Sequence, residues 1–529
     1  MSSEVGKTAG PAKPRPWRAI YVGAVVFVSL PYAISFASQL CSDDFILLYY
    51  YGVRPLWKIW TFFQPHTLWT YHPLQHYYMA VGWHLSGIEP WAYRTMSLAI
   101  HLATALLLMK FGRGLSGSIH VGGWAAILFA GQWRQWEAIS WAASIATPES
   151  VFFSILTCVA FLRFLQTRRR SAYVGMILAI IGWFFSKETI IQLPLFLAAI
   201  YSYRRWFIVE RGGTTPSRIL PELARLVAVP AAIVVVYLIF YAFFVHNTYT
   251  FANLGYEKAP VTLWPTNVVR WLDYALNPLL GNEIADSLPG VRIILLRVAH
   301  AHVVSGAAVL LTLGFALIRQ RMLPLFALAM TGITMIPYLA LRDPYFGYRY
   351  YYGVMLGGSL LVVALGRELW RLTSGKRGGR HSWIRIVVAA VGGLWVVSSL
   401  FALTHVALHD RRANRVAREL YDFFAAQTDK ADRSALFVVD TEPVRHQVDV
   451  EIGWGLLECA RLALRSDTVA AVELGFDLDR NLVREFNGYR EKYLVLRKER
   501  GWETTRLPDN ARLTVAPNGH GGVVLEPGT

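Results

Sequence analysis

Long apolar runs separated by short basic connections dominate this chain and leave it little choice of architecture. A helix needs roughly 20 apolar residues to cross a bilayer, and only helices and closed barrels satisfy their own backbone there. About eleven such runs are read, near 19–40, 95–111, 119–134, 148–166, 172–186, 189–203, 225–245, 291–318, 323–341, 350–368 and 386–407. Composition points the same way. Of 529 residues, 54% are hydrophobic and 16% charged, and the 19 Trp, 26 Tyr and 28 Phe suffice for aromatic belts at the interfaces.

The formal charge of +17 would suit a nucleic-acid binder, but its distribution argues against one. Arg168-Arg169-Arg170, Arg204-Arg205, Arg319 with Arg321, and Arg367 to Arg385 all lie in connections between apolar runs. This is the bias of cytoplasmic loops. Lys7, Lys13, Arg15 and Arg18 place the basic segment 1–18 on the same side. Cys41, Cys158 and Cys459 give no disulfide framework. Ser35-Phe36-Ala37 loosely resembles a signal-peptidase site, but the run before it is long and many follow, so an uncleaved first span is expected.

The opposite face receives the longer loops of a membrane domain spanning 19–408. The first, 41–93, holds amphipathic stretches at 55–63 and 74–83 whose aromatics suit helices lying in the interface plane. Another runs over 246–290 with Trp264 and Trp271, and a short turn from Arg342 to Arg349 joins two late spans. From 409 to 529 the composition turns soluble. Strands are expected at 435–440, 492–497 and 513–515, with a helix at 453–464, giving a small α/β domain that an odd span count places outside the cytoplasm. No solenoid-type repeat is present.

The chemistry-bearing residues gather at that outer face. Asp43 and Asp44 directly follow the first span, where a charge beside hydrocarbon is costly; they either mark the helix end or have a specific task. Glu137 sits among three tryptophans in Trp136-Glu137-Ala138-Ile139-Ser140-Trp141 and its neighbourhood. Lys187-Glu188 form a tight turn, and Arg342, Asp343 and Arg349 lie in the late turn. Each has a plainer reading, as a loop ion pair or an interfacial anchor. His66, His72 and His76 lack the close spacing of a zinc site.

These residues resemble the type C glycosyltransferases, polytopic enzymes that take sugars from polyprenyl-phosphate carriers, and within them the protein O-mannosyltransferases and transmembrane O-mannosyltransferases. Ser42-Asp43-Asp44-Phe45 is similar to the acidic pair of that superfamily's first outer loop. Trp136 to Trp141 is similar to its Glu-Ala-Val-x-Trp stretch. Ser186-Lys187-Glu188-Thr189 before Pro194 is similar to its Lys-Glu turn, and Tyr348-Arg349-Tyr350-Tyr351 to its Arg-Tyr step. The likeness covers the first two hundred residues well and the rest in outline. Tyr71-His72-Pro73-Leu74 stands where an aromatic-Arg-Pro-Leu is expected, the arginine after the Glu-Ala stretch is missing at Ile145-Ala146-Thr147, and no tetratricopeptide array follows.

The resemblance implies a membrane glycosyltransferase, hexosyl or pentosyl, acting at the outer face of a bacterial-type plasma membrane on a protein, glycan or lipid acceptor. Asp43 is expected as the base, with Asp44 and Glu137 beside it. Arg349, Arg342, Lys187 and Arg94 are expected at the donor phosphate, and His72 and Glu188 at acceptor or sugar. A single displacement would invert the anomeric centre. Asp43 and Asp44 either bind Mg²⁺ or Mn²⁺ or act alone. The rival reading is a lipid or solute transporter without covalent chemistry, which predicts charges buried mid-span and repeated broken helices. Here the charges collect at one face.

Overall fold

A computed structural model describes residues 16–64, 71–205, 216–245, 260–276, 303–339, 348–372, 382–430, 434–440, 456–474, 485–498, 501–515 and 523–526. Apolar runs bounded by charge become helices. Six are long and apolar enough to cross a membrane: Pro16–Ala37, Trp91–Ser116, Ala142–Thr167, Pro221–Phe243, Tyr351–Leu372 and Arg385–Leu408. Shorter apolar helices occupy Ile119–Ala130, Arg170–Phe184, Ser305–Arg319 and Leu323–Tyr338, and the expected run at 189–203 becomes the helix Leu193–Tyr203, opened by Pro194 in its first turn. The residues 291–302 of the eighth expected span lie outside the described residues.

In chain order the helices used below are α1 (Pro16–Ser29), α2 (Asp43–Leu47), α3 (Pro73–Ser86), α4 (Trp91–Ser116), α5 (Ile119–Ala130), α6 (Trp136–Ser140), α7 (Ala146–Thr167) and α8 (Arg170–Phe184). They continue with α9 (Leu193–Tyr203), α10 (Pro216–Phe240), α11 (Trp264–Leu276), α12 (Val303–Arg319), α13 (Leu323–Met335), α14 (Tyr351–Leu372), α15 (Ser382–Ala425) and α16 (Leu456–Leu464).

Small residues let the central helices approach closely. A Cβ on Gly122 of α5 would stand 2.0 Å from the Met109 carbonyl oxygen of α4, and one on Gly357 of α14 would stand 2.5 Å from the Thr331 backbone nitrogen of α13. Lipid offers no hydrophobic gain for helix pairing, so such close backbone contact supplies much of the attraction. At the end of the bundle away from Asp43, ion pairs tie the basic connections down: Arg168 to Glu222 at 2.7 Å, and Arg371 and Arg321 to the buried Glu368 at 3.0 and 3.7 Å.

The C-terminal part holds a four-stranded sheet in the order β2-β1-β3-β4, from β1 (Ala435–Asp440), β2 (Ala470–Glu473), β3 (Glu491–Lys498) and β4 (Gly501–Arg506). β1 runs parallel to both neighbours, and β4 antiparallel to β3. Leu436 to Val439 are buried on both faces, as a central parallel strand requires. A separate hairpin pairs β5 (Arg512–Val515) with β6 (Val523–Glu526).

The last span ends near 408 as expected, but its helix does not: α15 runs unbroken for 44 residues, about 66 Å at 1.5 Å per residue, from the bundle into the C-terminal part. The charges from Asp410 to Arg415 sit on a continuing amphipathic helix whose Val416, Ala417, Leu420 and Phe424 are buried against the sheet and the first loop.

Candidate active site

The first apolar helix ends at Ala37, and the chain turns at Ser42 with φ +50°, a left-handed conformation unusual for a non-glycine residue. That turn starts α2 with the two acids, which meet different surroundings. Asp44 is fully buried, and both its oxygens are occupied: Ala143 N–H donates to Oδ1 at 2.7 Å and Cys41 N–H to Oδ2 at 3.1 Å. Burial pushes its carboxyl up to about 7, against the lowering effect of the Arg94 charge and the two backbone bonds. Asp43 is half-buried and, among the described residues, accepts no hydrogen bond and joins no ion pair. Burial raises its carboxyl too, and the Arg349 charge pulls it down.

Asp44 begins a chain of bonds around the site's rim. It holds the amide of Ala143, whose carbonyl accepts from the Gln75 side chain. Gln75 Oε1 faces His72 Nδ1 at 3.0 Å, and His72 Nε2 meets Glu188 at 3.0 Å. The first loop, the turn after α6 and the Lys187 turn are thereby joined. Burial opposes the charge on Glu188, but the His72 bond and the Lys187 charge prevail and draw its carboxyl down to about 2. Its side chain keeps 40% of its surface exposed.

Across from Asp43, Arg349 begins the helix that becomes α14. Its backbone N–H donates to Glu137 Oε2 at 3.0 Å and its Nη1 donates to Glu137 Oε1. The guanidinium lies 4.5 Å from the Trp141 ring and 5.0 Å from that of Tyr350. Glu137 thus grips Arg349 at two points, and both side chains remain about one-fifth exposed. Lys187 is buried nearby, donates to Thr147 Oγ1 at 2.8 Å and stands 5.0 Å from the Tyr350 ring. Burial lowers its ammonium, Glu188 and Glu137 favour its charge, and Arg349 disfavours it.

Arg94 lies behind the acids on α4, fully buried, donating to the Gln39 carbonyl at 3.3 Å. Its Nε and Nη1 meet no hydrogen-bond partner among the described residues, and its charge acts on Asp44, Asp410 and Cys41. That is the place of a counter-charge within the wall. His76 is stacked on Tyr51 at 3.7 Å and is held well below its ordinary value, chiefly by burial, as a packed neutral ring. Arg342, Asp343 and His66 fall outside the described residues.

Three contributors were not singled out from the sequence. Gln75 carries the rim network, and only its spacing of three residues from His72 on α3 hinted at this. Asp410, from α15, accepts from Ser38 at 2.9 Å, while Asn414 donates to the same hydroxyl at 3.0 Å. Glu458, from α16, lies close enough to Asp43 to feel its charge.

Among the described residues no group of three or more His, Cys, Asp or Glu gathers as a metal site would need. What the site offers is the Asp43 carboxylate, which feels the Arg349 charge, with Lys187 near Arg349 and Glu137.

No protein-family model matches the chain, and no curated protein matches it. Among solved structures it is similar to the archaeal oligosaccharyltransferase AglB from Archaeoglobus fulgidus in complex with an inhibitory peptide and a dolichol-phosphate. The TM-score is 0.48 at 12% identity, covering 90% of this chain and 69% of that one. It is also similar to ArnT from Cupriavidus metallidurans bound to undecaprenyl phosphate, with a TM-score of 0.42 at 15% identity over 96% of this chain and 98% of that one.

Proposed function

We propose that this chain is a membrane glycosyltransferase of the type C plan, moving a sugar from a polyprenyl-phosphate donor to a hydroxyl acceptor at the outer face. The observation that carries this reading is the Asp43 carboxylate under the Arg349 charge, with Lys187 near Arg349, at the end of a bundle of apolar helices. A donor with a lipid tail would reach such a site from the bilayer with its phosphate at the interface.

Asp43 takes the proton from the acceptor hydroxyl as that oxygen bonds to the anomeric carbon. The bond from that carbon to the phosphate oxygen breaks, and its electron pair leaves with the phosphate, so the anomeric centre inverts. Burial raises Asp43 and makes it a better base than an exposed aspartate. Arg349 and Lys187 stabilise the leaving phosphate, the guanidinium through paired contacts. Glu137 and Trp141 fix Arg349 in place rather than reacting. Asp44 anchors the turn carrying Asp43, His72 ties the first loop to the Lys187 turn, and the exposed edge of Glu188 meets sugar or acceptor hydroxyls.

The deciding experiment is turnover by purified protein on a panel of polyprenyl-phosphate sugars, read as released polyprenyl phosphate. Consumption of one donor supports the reading. Movement of these lipids between leaflets with every donor intact refutes it in favour of transport.

A further inference from the structure

The end of the bundle away from Asp43 carries a charge cluster that the mechanism above leaves unused. From Tyr351 to Glu368 helix α14 rises about 26 Å at 1.5 Å per residue, and there the buried Glu368 meets two guanidiniums. Arg371 Nη1 donates to Oε1 at 3.0 Å, and Arg321 Nε stands 3.7 Å from Oε2. Arg321 arrives by a sharp reversal after α12. Gln320 takes a left-handed φ of +51°, where glycine is the usual residue, and the Arg321 N–H turns back to the Phe315 carbonyl at 2.9 Å. Arg367 lies one turn before Arg371 on α14, donates to the Ser116 carbonyl at 3.5 Å and feels the charges of Arg371, Glu368 and Arg321. Three guanidiniums against one carboxylate leave an excess of two positive charges. The side chains of Arg321 and Arg371 keep 48% and 44% of their surface exposed. The surface around them is apolar: Leu317, Ile318, Trp370 and Leu372 are all exposed.

We propose that Arg321 and Arg371, with the Arg367 charge beside them, bind the headgroup phosphate of an anionic glycerophospholipid in the leaflet away from Asp43. Each guanidinium carries five N–H donors, and Glu368 takes only one hydrogen bond from the pair, so donors remain for the two unesterified phosphate oxygens. Glu368 holds both arginines side by side and leaves the net charge positive. A basic pocket between helices at the headgroup level is the usual means of retaining an anionic lipid. The apolar flank decides between a lipid and a soluble phosphate. Leu317 and Ile318 offer contact to acyl chains, and Trp370 suits the interface with its ring. A soluble anion would have the same oxygens and no use for that flank. The site lies apart from the acid pair, so the proposal stands independently of the glycosyl-transfer reading.

The test is native mass spectrometry beside a thermal melt of the full-length protein in neutral detergent, titrated with dioleoylphosphatidylglycerol, dioleoylphosphatidylcholine or inorganic phosphate. Phosphatidylglycerol should be retained and should raise the melting temperature; phosphatidylcholine, whose headgroup is neutral overall, should do neither at the same mole fraction. Arg321→Gln with Arg371→Gln should weaken retention about tenfold or more, the effect of losing a charge-assisted contact. That pair of changes leaves Glu368 buried without its arginines, so a second variant adds Glu368→Gln to remove the stranded charge, and it should lose the lipid equally. Glu368→Gln alone removes the competing carboxylate and should bind phosphatidylglycerol at least as tightly as the parent. Equal retention of the two lipids, or parental retention in the triple variant, would overturn the proposal. Stabilisation by inorganic phosphate equal to that by phosphatidylglycerol would make this a soluble-anion site and overturn the lipid assignment. Neither readout needs turnover, so a failure of the sugar-transfer reading leaves the result standing.

Discussion

Asp43→Asn separates chemistry from architecture more sharply than any other single change. The amide keeps the shape of the side chain and removes its basicity. Because Asp43 accepts no hydrogen bond among the described residues, the folded state loses none, and the thermal stability of the protein should change by no more than about 0.5 kcal/mol. The loss should appear in turnover alone. Removing a positioned general base costs about 10²–10⁴-fold, a barrier increase of about 3–5 kcal/mol. Donor binding depends on Arg349 and Lys187, so affinity for the polyprenyl-phosphate sugar should hold within a few-fold. The assay is single-turnover sugar transfer by the purified variant beside a thermal melt in the same detergent. Turnover within about threefold of the parent would refute the base assignment. Equal loss of turnover and of melting temperature would assign Asp43 to the fold instead.

Arg349→Lys keeps the charge and the backbone bond to Glu137 but loses the Nη1 contact and the flat face against Trp141, so donor affinity or turnover should fall about tenfold or more, the effect of one charge-assisted contact. A lysine that serves equally well, measured by donor titration, would make the residue an interfacial anchor. Asp44 predicts a pH dependence of stability. Its carboxyl is raised in the folded state from 3.8 to about 7, so its contribution is fully present below about pH 4 and is lost as pH rises through 7. Melting temperature should therefore fall less steeply across that window in Asp44→Asn than in the parent, and parallel curves would contradict the burial argument. A reporter active only in the cytoplasm, fused after Thr529, should be silent, and activity there would overturn the assignment of the acid pair to the outer face.

The apolar runs made the helices legible because a span is specified locally, by about twenty residues of one character. The acid pair was legible as a pair, and the resemblance singled out Asp43 as the base, but how Asp44 is held was not legible. Which acid is held depends on the turn at Ser42 and on the amide of Ala143, which approaches from another loop far along the chain. Gln75 looked like one polar residue among several on α3, since its role is set by the Ala143 carbonyl and by His72 together. Asp410 and Glu458 sit among arginines and alanines on helices that read as solvated, and their place near the acid pair exists only once α15 and α16 pack against the first loop. The long reach of α15 did have a signature, the spacing of Val416, Ala417, Leu420 and Phe424, which the neighbouring charges obscured.

The cluster in which Phe45 and Leu48 pack with Leu420, Phe424 and Leu456 imposes an order on biogenesis. The first loop is made early, yet the surface that completes its cover leaves the ribosome only after all the intervening helices. Throughout synthesis of the intervening helices, the apolar side of α2 is covered only by its early neighbours Tyr78, Met79, Tyr93, Ala142 and Ile145. Contacts so distant in sequence form slowly, and the interval is one in which holding factors or neighbouring lipid must shield that surface. A nascent chain stopped before Leu456 would carry Asp43, Arg349 and Lys187 and still lack the wall against which Phe45 of the same short helix and Leu48 just after it pack, so premature termination should yield inserted but inert protein.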